Sequence, residues 1–213
     1  MKPDHVTKSR SGFWSVLVFM ERELEVSLVR RLRAGDTAAF DDVYSAFNSR
    51  LFRFLNRMTR NRHVAEDLVE ETWLRLVSGC EDLDEDTRLG AWLFTVARNL
   101  YISSCRAGSR QQSCAIDFLS LWPDVLSPSP LSAAVSNQFQ ECLDAALAAL
   151  PPIYREALVL VGIEGFRPAE AAAICGVGAE AFRQRLSRAR ALLREQLKTE
   201  GWIERPEWKK VSR

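Results

Sequence analysis

A chain of 213 residues, 47% hydrophobic and 27% charged, is long enough to bury two small cores. Its two histidines, His5 and His63, offer little raw material for a zinc site or a histidine-dependent triad, so no metal, cofactor or catalytic centre is expected. Five cysteines (Cys80, Cys105, Cys114, Cys142, Cys175) without CxxC spacing point to a reduced, cytoplasmic protein and away from a disulfide scaffold.

Residues 1–22 read as a leader with an apolar patch at Phe13, Trp14, Val16, Leu17, Val18 and Phe19. The run is too short to span a bilayer and no small-residue cleavage site follows it, so stable membrane insertion is not expected. From Glu23 the pattern turns helical. Leu24, Leu28 and Leu32 recur at four residues, Gly35 ends the run, and Asp36 or Thr37 caps the next helix. That helix carries apolar residues at Phe40, Val43, Tyr44, Phe47, Leu51, Phe54, Leu55 and Met58, a period no strand would show.

A third helix runs to Val77, burying Val64, Leu68, Thr72 and Leu76. Its opposite face sets Asp67, Glu70 and Leu74 side by side. A leucine exposed among carboxylates suits a partner with an apolar spot and a basic rim. The net charge of +1 hides strong segregation: Glu66 to Asp86 holds nine acids against Arg75 alone, whereas Arg88 to Arg110 holds four arginines and no acid. Local patches govern binding, so a neutral average does not exclude nucleic acid.

The fourth helix places Leu89, Trp92, Leu93, Val96, Ala97 and Leu100 on one side and ends in Arg98, Asn99, Tyr101, Ser103, Ser104, Arg106 and Arg110. Aromatic, amide and hydroxyl groups mixed with arginine suit unstacked bases and backbone phosphates. Residues 111–134, with Ser-Pro-Ser-Pro at Ser127 to Pro130, read as a flexible linker bearing one apolar cluster, Phe118, Leu119, Leu121 and Trp122. A second domain over 135–200 begins with a helix using Val135, Phe139, Leu143, Ala146, Leu147 and Leu150, stopped by Pro151-Pro152 and followed by a helix over Ile153 to Val161. The tail 201–213 carries no readable role.

Gly165 to Leu197 (GFRPAEAAAICGVGAEAFRQRLSRARALLREQL) reads as a helix, a tight turn and a second helix, with Pro168 in the first turn and Gly176-Val177-Gly178 as the break. With Phe182 at the centre of the buried face, Leu186, Ala189 and Leu193 fall within about 40° of it. The outer face carries Glu180, Ala181, Gln184, Ser187 and Arg188, flanked by Arg183, Arg185 and Arg190. In a helix-turn-helix the second helix enters the major groove, so the outer residues are set to read bases and the flanking arginines to grip phosphate.

The expected fold class is therefore all-α, two small helical domains joined by a linker, the second holding the helix-turn-helix. Three functions compete at this point. A stand-alone helix-turn-helix regulator would explain the second domain but not the acidic helix with its exposed Leu74. A carboxylate metalloenzyme built on Asp67, Glu70 and Glu71 lacks the Glu-x-x-His pairs such bundles use.

Four segments in order support the third: AGDTAAFDDVYSAF, AEDLVEETWLRL, RLGAWLFTVARNL, and LPPIYREALVLVGIEGFRPAEAAAICGVGAEAFRQRLSRARALLREQL. In these the chain resembles bacterial RNA polymerase sigma factors of the extracytoplasmic-function class, over roughly Leu28 to Leu197. The resemblance implies a first domain (23–110) that binds the polymerase clamp and melts the minus-ten element, and a second that reads the minus-thirty-five element. Carried over by position, it implies polymerase binding by Asp67, Glu70, Glu71 and Leu74, and minus-ten contacts by Arg98, Asn99, Tyr101, Ser103 and Arg106. It also implies minus-thirty-five contacts by Glu180, Ala181, Arg183, Gln184, Arg185, Ser187, Arg188 and Arg190. Core RNA polymerase, promoter DNA and an anti-sigma factor are the implied partners. The family usually has glycine-threonine-valine at Glu180-Ala181-Phe182 and an aromatic at Thr95, departures that bear on the promoter sequence read.

Overall fold

The computed structural model describes residues 22–111 and 136–199, with side chains described over 22–107 and 140–199. The expected leader, the Ser127 to Pro130 segment and the tail lie outside the described residues. Every regular element within them is helical.

In the first half, α1 (Arg22–Arg33), α2 (Thr37–Thr59), α3 (Arg62–Gly79) and α4 (Leu89–Gln111) pack together. Asp36 is the cap of α2: its carboxylate accepts the backbone N–H groups of Ala38 at 2.9 Å and Ala39 at 3.4 Å. Asn61 does the same for α3 through the Val64 N–H at 3.2 Å. Between them Arg60 turns the chain with φ 55°, a left-handed residue that ends α2.

The buried stripe of α1 is Glu25, Leu28, Val29 and Leu32, while Leu24 is exposed. Of the expected Leu24-Leu28-Leu32 stripe, Leu28 and Leu32 are buried and Leu24 is not; Glu25 turns inward beside it, its carboxylate accepting from Arg88 at 3.2 Å. Of the expected α2 stripe, Tyr44 stays largely exposed beside Phe40 and Trp73, at ring-centroid distances of 6.1 Å and 4.9 Å. Phe54 and Phe94 meet at 5.2 Å in the centre of the bundle, and each fully buried ring is worth roughly 2–3 kcal/mol of burial. The acidic turn after α3 is tied to α1: Arg30 donates to Glu85 at 2.9 Å and Arg22 to Asp86 at 2.7 Å.

In the second half, α5 (Ser136–Ala148) leads through Pro151 into α6 (Pro152–Leu158), which continues as a π-helical turn, Val159–Ile163. There follow α7 (Pro168–Ile174) and α8 (Ala179–Thr199). Gly176, at φ 63°, closes α7 by donating to the Ala173 carbonyl at 3.0 Å, which makes the tight turn the sequence predicts. Phe182, Leu186 and Ala189 are buried against α6 and α7, so the orientation of α8 is fixed by its apolar stripe.

The halves share one continuous core. Arg155 of α6, buried, donates to the carbonyls of Leu147, Ala148 and Leu150 and also to those of Arg57 and Met58 at the end of α2. One guanidinium thus satisfies helix ends on both sides of the junction, which the bare carbonyls could not do in a dry interior.

Candidate polymerase and DNA interfaces

On α3 the geometry follows the sequence expectation. Asp67, Glu70 and Leu74 are exposed on one face, and Leu74 keeps 60% of its surface in water. Val77, one turn on, is 58% exposed and extends Leu74 into an apolar spot that the sequence reading passed over. Its signal was available, since residues three apart on a helix are neighbours. Glu71 is half-buried and paired with Arg75 at 2.8 Å, so it stands at the edge of this face.

The helix α4 divides the expected minus-ten set in two. Successive residues lie about 100° apart on a helix, so Arg98 and Tyr101 share one face while Asn99, Ser103 and Arg106 share another. Asn99, Ser103 and Arg106 are exposed. Asn99 and Ser103 join Arg75, Trp92, Val96 and Leu100 around an open pocket of about 370 Å³ between α3 and α4. The contribution of Arg75, Trp92 and Val96 was not foreseen, because it depends on how α3 crosses α4.

Arg98 and Tyr101 turn instead toward the second half. Arg98 donates to Glu156 of α6 at 2.7 Å, with its side chain 16% exposed. Burial pushes the Tyr101 hydroxyl well above its ordinary range. The sequence reading gathered these five residues into one surface. The structure brings Asn99 and Ser103 to the pocket and places Arg98 and Tyr101 at the junction.

On α8 the outer face is as expected: Glu180, Ala181, Arg183, Gln184, Ser187, Arg188 and Arg190 are exposed. Glu180 and Arg183 pair with each other at 2.6 Å, and this hydrogen bond, foremost among the causes, holds the Glu180 carboxyl below its usual range. Arg185 departs from the set. It is drawn in beside Glu156, 3.8 Å away. Cys175, buried at the end of α7, donates to the same carboxylate at 3.4 Å, and burial first, with Glu156 second, pushes its thiol up to about 12.

Among the described residues no three His, Cys, Asp or Glu side chains are grouped to hold a metal ion, and no helix is long and apolar enough to cross a membrane.

Residues 43–111 match the family model for sigma-70 region 2, and residues 140–193 match that for sigma-70 region 4. The chain is 37% identical over 161 residues to the ECF RNA polymerase sigma factor EcfG of Rhodopseudomonas palustris (strain TIE-1), covering 76% of this chain and 86% of the relative. It is 32% identical to the ECF sigma factor SigM of Bacillus subtilis (strain 168), covering 72% and 92%. Among solved structures it resembles the sigma factor RpoE of Bartonella quintana in complex with the anti-sigma factor NepR, with a TM-score of 0.59 and 31% identity over 75% of this chain and 96% of that one.

Proposed function

Because this chain belongs to the extracytoplasmic-function class of RNA polymerase sigma factors, we propose that its two helical halves divide promoter recognition between the surfaces described above. As a sigma factor it is a transcription initiation factor and not an enzyme. Relatives aligned across both halves also displace the stand-alone regulator.

In this reading residues 23–110 bind core polymerase and open the minus-ten region, 111–134 connect the halves, and 135–200 read the minus-thirty-five element. Asp67, Glu70 and Leu74, with Val77 added, meet the polymerase clamp. The observation that carries this is Leu74: an apolar side chain 60% in water, on the same exposed face as Asp67 and Glu70, gains by being covered, and basic groups in the partner's rim offset the desolvation of those carboxylates. Asn99 and Ser103 offer hydrogen bonds, and Trp92 an aromatic surface, in a pocket that suits an unstacked base. Glu180, Ala181, Gln184, Ser187 and Arg188 face the major groove, with Arg183, Arg185 and Arg190 toward phosphate.

The protein acts in the cytoplasm, where promoter DNA and core polymerase are found. An anti-sigma factor is a further partner, a reading supported by the likeness to a sigma factor solved with one. Such an inhibitor would cover Leu74 and its acidic neighbours, making inhibitor and polymerase mutually exclusive. Transcription in vitro with purified core enzyme tests the proposal: promoter-specific initiation is expected only when this chain is added, and its loss when an inhibitory partner saturates the mixture. Initiation from the same start sites by core enzyme alone would overturn it.

A further inference from the structure

The pocket between α3 and α4 is polar on one wall and charged on the other. The α4 wall supplies Trp92, Asn99 and Ser103, a ring and two hydrogen-bonding groups, but no cation. Arg98 turns away to Glu156, and Arg106 does not reach the lining. The cation comes from the opposite wall: it is Arg75 of α3, its side chain 61% exposed. Between Glu66 and Asp86 this is the single base among nine acids.

Arg75 is oriented from its own helix. Its Nε donates to the Glu71 carboxylate, one turn earlier, at 2.8 Å. That bond engages Nε alone and leaves both Nη groups to another acceptor. An exposed pair at this spacing adds little to helix stability, so its main consequence is the direction of the guanidinium. Successive residues lie about 100° apart on a helix, which sets Arg75 round from Leu74 and toward α4.

We propose that Arg75 grips a phosphate of the opened promoter strand whose base enters this pocket. The proposal rests on the assignment of the pocket to the minus-ten element, and it adds a contact from α3, the helix that otherwise faces polymerase. Stacking and hydrogen bonding leave the charge of the strand unanswered, and a phosphate beside α3 would otherwise meet the carboxylates of the Glu66 to Asp86 stretch. A guanidinium answers it with a fork of parallel N–H donors and a full positive charge. Trp92 and Asn99 engage the base while Arg75 fixes the backbone, a contact that gives position without sequence information. One helix thus presents carboxylates to a protein partner on one side and a cation to DNA on another.

Holoenzymes are assembled from core polymerase and full-length wild type, Arg75→Ala, Arg75→Lys, Trp92→Ala or Asn99→Ala. Each is titrated over a salt series against a labelled duplex left unpaired across the minus-ten region, of a sequence that wild-type holoenzyme has selected from a random library. Arg75→Ala is expected to weaken binding about tenfold, as loss of a charged hydrogen bond does, and to reduce the slope of log affinity against log salt by about 0.7, the share of one single-strand phosphate. Arg75→Lys keeps the slope because it keeps the charge. Substituting each base in turn gives the same preference profile for Arg75→Ala as for wild type. Trp92→Ala weakens binding with the slope unchanged, because stacking releases no counterion. Retention of the Arg75 variants on core polymerase stays at the wild-type level. Should the alanine variant fail to fold, Arg75→Gln carries the same test. A full wild-type slope in a folded, neutral variant, alongside weakened binding by Trp92→Ala, would overturn the proposal, and so would loss of core binding, which would place Arg75 in the docking face. Wild-type affinity in both Trp92→Ala and Asn99→Ala would instead remove the assignment of the pocket on which the proposal rests.

Discussion

The indole N–H of Trp73 donates to the Asn48 side chain at 3.0 Å, pinning α3 against α2, and the residue that follows, Leu74, is thereby turned into solvent. Trp73 is buried, so the outward face of α3 is fixed by its inward one. A rigid, pre-oriented docking face loses little conformational freedom when a partner covers it.

Leu74→Arg combined with Glu70→Lys is expected to abolish binding to core polymerase while leaving the thermal unfolding of the free chain unchanged. Each carboxylate opposite a basic rim should contribute on the order of 1 kcal/mol, more where water is excluded. A pull-down with core enzyme reads the result, and undiminished retention would remove the clamp assignment.

The outer face of α8 separates two kinds of contact. Gln184→Ala or Arg188→Ala should cost roughly 1–3 kcal/mol and relax preference at individual base pairs, whereas Arg190→Ala should weaken all sequences about equally. Selection from a promoter library distinguishes these outcomes. Uniform loss for all three variants would make the helix a phosphate grip with no reading role.

For the pocket between α3 and α4, Trp92→Ala and Asn99→Ala are expected to slow promoter opening while leaving polymerase binding intact. Stacking a base on an aromatic ring is worth about 1–3 kcal/mol, enough to reduce the open fraction about fivefold or more. Permanganate footprinting of the melted region measures it. Normal opening in both variants would move the minus-ten contact elsewhere.

Asp36→Ala removes the cap of α2 and should lower stability. The Arg31 side chain, bonded at 2.7 Å, is the foremost cause holding the Asp36 carboxyl below its ordinary value of 3.8. A depressed carboxyl stabilises the fold above its unfolded value and loses that contribution as pH falls through the lower folded one. Wild type should therefore exceed the variant at pH 5 and 7 alike, with the gap narrowing below pH 3.8, in urea titrations. A gap that persisted unchanged at the acid end would assign the effect to something other than the ionised cap.

Much of this was legible in the sequence because it is local. The four-residue spacing in α2 and α3, the Asp36 cap, the Gly176 turn and the Phe182–Leu186–Ala189 stripe each depend on residues within a few positions of one another, and helical geometry converts such spacing directly into faces. Leu74 was found for the same reason: the positions that bury α3 determine which side is left in water. These patterns also carried the all-α class, the order of the two halves and the family.

The junction was not legible. Arg98 and Glu156 are 58 residues apart, Arg50 and Glu164 are 114 apart, and Arg155 serves carbonyls both in its own half and nearly a hundred residues away. No periodicity couples such positions. Helical spacing sets Arg98 and Tyr101 on a different face of α4 from Asn99 and Ser103, and Arg185 nearer the buried stripe of α8 than Arg183 and Arg188, but it does not say which element packs on those faces. Only the packing of α4 and α8 against α6 decides which of them meet Glu156 and which meet water, because an arginine enters a low-dielectric interior only where a carboxylate or a set of carbonyls already waits for it.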